Sequence, residues 1–176
     1  NDAAPPWIAY DLANKQGDVV AVKPAHRPVT VKVVDKETGQ PVSVRLHLHG
    51  EAGEYLPPKG YHRKVNGNWF EDNYGEYVNG RNQYCYILGE CVADLPLGEV
   101  FIEISKGYEI DPIRQKIEVK ADTDEITFEL EHVLQWRQKG WVTADTHVHF
   151  LSPQTAKLEG EGEGGNVVNL LASQWG

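Results

Sequence analysis

The sequence predicts a mainly β chain, a β-sandwich followed by the opening strand-helix-strand of an α/β unit. Three observations carry that prediction. Val29, Val31 and Val33, then Val42, Val44, Leu46 and Leu48, alternate with other residues at the period of a strand with one face in a core. Turn segments such as KETGQP and PLG separate such runs, and helical periodicity is almost absent from them. After GWVTADTHVHF the pattern changes to a capped helix and then an apolar run, the order of a βαβ unit.

The elements follow in order. Residues 1–27 read as an extended arm, with Pro5, Pro6 and Pro24 and a polar ANKQGD. Residues 28–135 read as the sandwich. PVTVKVVD is its first strand, and Gly39 in KETGQP allows the turn into PVSVRLHLH. Residues 50–81 are rich in Gly, Asn, Tyr and charge, and read as a long decorated loop with one short strand. Strands resume at NQYCYI, ECVADL, EVFIEIS, IRQKIEV and EITFELEHV. Residues 136–176 read as the start of an incomplete α/β domain, entered through the polar junction QWRQKG. Its first strand is GWVTADTHVHF. Ser152 and Pro153 then supply an N-cap and a first helical position. Glycines 160, 162, 164 and 165 predict a short or frayed helix. NVVNLLASQWG reads as a strand buried on both faces.

A formal charge of −9 over 176 residues argues against a nucleic-acid or anionic-membrane surface, which needs clustered Lys and Arg. No apolar run is long enough to span a bilayer. NDAAPPW lacks the basic start and apolar core of a signal peptide; a trimmed signal is one explanation and a proteolytic fragment another, and the expectation is a periplasmic or extracellular protein. Cys85 and Cys91 flank Gly89, which suggests a hairpin. A three-residue loop would set the two cysteines opposite each other. Two buried thiols are the reading and a disulfide is the alternative. Trp69, Tyr74, Tyr77 and Tyr84 read as core or edge packing rather than a sugar-stacking surface.

Two His-x-His pairs place imidazoles on one face of a strand, the spacing that lets two nitrogens share a metal. His47 and His49 continue the polar face set by Ser43 and Arg45 and are expected to face solvent. His147 and His149 stand differently, with Thr143 and Asp145 predicted on the same face. Asp145 is a third ligand or a carboxylate that orients an imidazole. The pair also ends its strand before a loop and helix, where α/β sites collect. Glu159, Glu161 and Glu163 read as a solvated, mobile turn.

GWVTADTHVHF, with the sandwich before it and the helix and NVVNLLASQWG after it, resembles the CehA/McbA-like metallohydrolases, a branch of the PHP-like group. VVDKETGQPVSVRLHLHG, LPLGEVFIEISKGYEIDP and ITFELEHV resemble the carboxypeptidase-regulatory-like, transthyretin-like or Ig-like sandwich often fused before such domains. Together these cover roughly residues 28 to 176. The resemblance implies a PHP-like α/β barrel in which a divalent metal ion (zinc, manganese or iron) activates water against an ester, amide, carbamate or phosphoester. His147 and His149 would be first-strand ligands, and Asp145 a ligand or its supporting partner. Ala172-Ser173-Gln174-Trp175 stands where many PHP-like proteins carry Thr-Asp-His, so the metal count departs from the usual. The remaining strands and ligands are expected from the rest of the catalytic domain, from another chain or from a homo-oligomer. The competing expectation is a non-catalytic binding or assembly module whose C-terminal segment packs on a partner.

Overall fold

The computed structural model describes residues 21–62, 64–65, 72–73, 75–79 and 82–171. Most of the predicted arm, Trp69, Tyr74 and Ala172 to Trp175 lie outside the described residues. In chain order the strands are β1 (Arg27–Asp35), β2 (Val44–Gly50), β3 (Lys64–Val65), β4 (Asp72–Asn73), β5 (Glu76–Asn79), β6 (Asn82–Ile87), β7 (Glu90–Leu95), β8 (Gly98–Ser105), β9 (Ile113–Val119) and β10 (Glu125–Leu130). A 3-10 turn at Arg137–Lys139 precedes β11 (Ala144–Val148), helix α1 (Pro153–Gly162) and β12 (Val167–Leu170).

Strand alternation builds the core. Val29, Val31 and Val33 of β1 and Val44, Leu46 and Leu48 of β2 are fully buried. Each such side chain contributes about 1.5–3 kcal/mol by leaving water. They join Ile87, Ala93, Leu95, Ile104, Phe128 and Leu130 in one cluster between two sheets. One sheet has the order β10-β1-β7 and the other β5-β6-β2-β8-β9. β1 runs parallel to β10, and every pairing in the larger sheet is antiparallel. The chain is therefore mainly β, with two sheets face to face over one core. The decorated loop holds more strand than expected, in β3, β4 and β5.

The hairpin expected around Gly89 is corrected. β6 pairs Cys85 with Leu46 in the larger sheet, whereas β7 pairs Cys91 with Val31 in the smaller. Leu88 and Gly89 thus carry the chain across the sandwich. Gly89 has φ 87, and a Cβ there would lie 2.7 Å from Val42 N. Both cysteines are free and buried. Burial pushes the Cys91 thiol up to about 12 and raises that of Cys85 as well. Neither is a nucleophile near neutral pH.

The C-terminal unit is a parallel pair, β11 and β12, joined by α1. Ser152 caps α1 by accepting from Thr155 N at 3.2 Å, with Pro153 opening the helix as expected. Two expectations are corrected. β12 is not buried on both faces, since Val167 is 53% exposed. The three glutamates do not form a solvated turn. Glu159 and Glu161 lie in α1, Glu163 caps it, and all three are half-buried.

The last turn of α1 sits against the outer face of the larger sheet. Tyr86 Oη donates to Glu163 Oε1 at 2.7 Å, and Ser43 Oγ donates to Glu161 Oε2 at 3.3 Å. Arg45 Nη1 lies 3.3 Å from Glu163 Oε1. Gly162 permits this approach, because a Cβ there would fall 2.5 Å from Tyr86 Cδ1. Lys106 Nζ donates to the carbonyls of Ser43, at 2.8 Å, and of Glu161. Burial, and then the charge of Arg137, lowers the Lys106 pKa from 10.5 to about 8.

Two outcomes test this packing. Leu46→Ala should destabilise the fold by about 2–5 kcal/mol in urea melts. For Lys106, the unfolded chain keeps its proton until about 10.5 and the folded chain releases it near 8. The unfolded state holds more protons between those values, so stability rises with pH across that window. Melts on either side of pH 8 should show the rise, and Lys106→Met should lack it.

Candidate metal centre

Strand β11 begins in a fixed position. Asn166 N and Val167 N both donate to Thr143 O, and Thr143 Oγ1 donates to Gly164 O at 3.2 Å. Ala144 and Asp145 then pair with Val167 and Val168. Beyond Asp145 the register shifts, and pairing resumes only at Val148 with Leu170. This bulge corrects the expected unbroken alternation from Thr143 to His149. Bulges re-aim side chains and occur beside active sites. The Asn169 amide donates to Thr146 O at 3.0 Å and supports the bulged backbone from the neighbouring strand.

His147 and His149 meet at the carboxyl end of β11. Their ring centroids are 4.6 Å apart, and their Nε2 atoms approach to 2.8 Å. At that distance one nitrogen carries a proton and the other accepts it. With both protons on Nδ1, the two lone pairs converge on one point. Two nitrogens on tetrahedral zinc lie roughly 3.3 Å apart, given bonds of about 2.0–2.1 Å. A separation of about half an ångström therefore converts the observed contact into a chelating pair. Nδ1 of His149 is buried and has no hydrogen-bond partner among the described residues.

Asp145 takes a different position. Its Oδ1 accepts the backbone N–H of His147 at 3.1 Å, so the carboxylate turns back on its own strand. It also borders a cavity of 170 Å³ between β11 and α1, along with Thr143, Glu159 and Glu163. Among the described residues, no three His, Cys, Asp or Glu side chains converge as a metal-ligating group. The donor set fits half a site, two imidazole nitrogens with a carboxylate beside them.

Phe150 follows the pair with φ 63, the one non-glycine positive φ among the described residues. A left-handed aromatic residue costs about 1–2 kcal/mol, and such strain collects at functional sites. Neither Phe150 nor Asn169 was singled out from sequence. The one hint was a polar Asn inside the apolar run NVVNLL.

The other His-x-His pair is held differently. His47 and His49 lie on the outer face, as expected, but are half-buried rather than open to solvent. His47 stacks on Tyr55 at 5.8 Å and His49 on Phe101 at 4.9 Å. Each Nδ1 is spent on a carbonyl, of Gln83 for His47 and of Gly50 for His49.

Phe150→Gly should relieve about 1 kcal/mol of backbone strain and leave the melting temperature undiminished despite the lost aromatic ring. A drop of several degrees would assign the ring a packing role instead. Set against family models, curated proteins and solved structures, the chain finds no match.

Proposed function

We propose that residues 144–149 form the first metal-ligating strand of a metal-dependent hydrolase of the CehA/McbA-like, PHP-like kind. Its substrate would be an ester, amide, carbamate or phosphoester. The observation that carries the reading is the convergence of the His147 and His149 Nε2 atoms, 2.8 Å apart at the carboxyl end of a parallel strand. These two residues hold a divalent ion (zinc, manganese or iron). Once bound, such an ion lowers the pKa of water and polarises the scissile group. Asp145 fixes the strand end through the His147 N–H and stands ready as a further ligand or an orienting carboxylate. Phe150, with φ 63, follows the imidazole pair, and its ring lies 5.6 Å from that of His149. The remaining ligands come from the rest of the catalytic domain or from another chain. Export to the periplasm or the cell exterior is part of the same proposal.

A second reading has its own observation. Trp141 is 64% exposed, Val142 71% and Val167 of β12 53%. Apolar surface of this kind favours a cover, which suits an assembly module whose C-terminal segment packs on a partner.

Cobalt or zinc titration separates the two. The hydrolase reading expects one divalent ion per chain. His147→Ala and His149→Ala should each lower its affinity by about 100-fold. If the doubly substituted chain binds the ion as well as the parent chain does, or if neither this chain nor its longest natural form holds an ion, the reading fails.

A further inference from the structure

A groove of 530 Å³ crosses the outer face of the larger sheet, and neither His147 nor His149 lines it. We propose that it is a binding site for a neutral oligosaccharide. From sequence, Tyr77 and Tyr84 are expected to pack in the core or along a sheet edge. Here they stand as directly paired residues of β5 and β6 that form one wall of the groove. Their rings stack at 5.0 Å and 20°. The Arg45 guanidinium lies 5.1 Å above the Tyr84 ring, and Tyr86 meets Tyr84 edge-on at 5.6 Å. The floor comes from β2 and β8, where His47 pairs with Glu103 and Arg45 with Ser105.

Each polar group on that floor is held in place. Arg114 grips Glu103 through two hydrogen bonds, of 2.9 and 3.2 Å. Arg45 Nε donates to Ser105 Oγ at 3.0 Å. His47 Nδ1 donates to Gln83 O, which leaves Nε2 as an acceptor. Burial lowers the His47 pKa, so the ring stays neutral near pH 7. The amide side chains of Asn82 and Gln83 complete the lining.

This chemistry excludes the simpler ligands. An anion meets Glu103 beside Arg45, and a cation meets Arg45. An apolar ligand would strip water from Glu103, Ser105 and His47 without replacing its hydrogen bonds. A polyhydroxylated, uncharged ring satisfies all of these groups. Its hydroxyls both donate and accept, and its C–H edges lie against the tyrosine wall. The volume lies in the range of small-molecule sites.

The test is affinity electrophoresis of the full chain through gels containing starch, mixed-linkage β-glucan, xylan or galactomannan. At least one polysaccharide should retard the chain. Glu103→Gln and Tyr84→Ala should each weaken that retardation about tenfold, the effect of losing one good hydrogen bond or stacking contact. Circular dichroism confirms that both variants are folded, and the isosteric Glu103→Gln keeps the test valid if Tyr84→Ala is not. His147→Ala should migrate like the parent chain, which separates this site from the metal centre. The proposal is overturned if no polysaccharide in the panel retards the chain, or if retardation survives either substitution in a folded variant.

Discussion

Everything in this chain depends on the two-sidedness of β2. Strand geometry sends Val44, Leu46 and Leu48 into the core and Arg45, His47 and His49 to the other face. The inward set joins the two sheets. The outward set does two things at once. His47 and Arg45 make the floor of the groove, and Arg45 also reaches Glu163 at the end of α1. A shift of one residue in β2 would exchange the two sets and remove core, groove and helix contact together.

The helix contact matters because α1 has little apolar face of its own. Of its residues only Thr155, Ala156 and Gly162 are buried. What holds it is polar and directional: Tyr86 to Glu163, Ser43 to Glu161, and Lys106 bridging a strand carbonyl and a helix carbonyl. Such bonds are modest singly and sensitive to geometry. Together they hold α1, the connection between β11 and β12, on the outer face of the larger sheet.

Much of this was legible in sequence, and the misreadings have physical causes. The strands NQYCYI, ECVADL, EVFIEIS and IRQKIEV appear in the structure within a residue of their expected bounds, because alternation and turn residues are local signals. The Ser152-Pro153 start of α1 was legible for the same reason. Partner choice is not local. Nothing in YCYILGECV tells a hairpin from a crossover between sheets, and the local pattern points Cys85 and Cys91 to adjacent strands. The half-buried glutamates of α1 are not legible locally because their partners, Arg45, Tyr86 and Ser43, are far away in sequence. At the candidate centre the pairing of His147 with His149 was readable from their spacing. The bulge, the backbone role of Asp145 and the left-handed Phe150 arise from pairing with β12, which no single-strand pattern encodes.

The glycines under α1 have a consequence for how the two units relate. A Cβ on Gly162 would collide with Tyr86, one on Gly75 would crowd Leu158 and Tyr86, and one on Gly107 would press the Glu163 carbonyl. At these three points a missing side chain lets the sandwich and the α/β unit close on each other, backbone to backbone at Gly107 and backbone to side chain at Gly75 and Gly162. The sandwich is thus less an appendage on a tether than a mould against which the β11-α1-β12 unit is packed. Cutting the chain at Gln135, where composition suggests a seam, would bare the Tyr86 ring and the Lys106 ammonium on one piece and strip the other of its template.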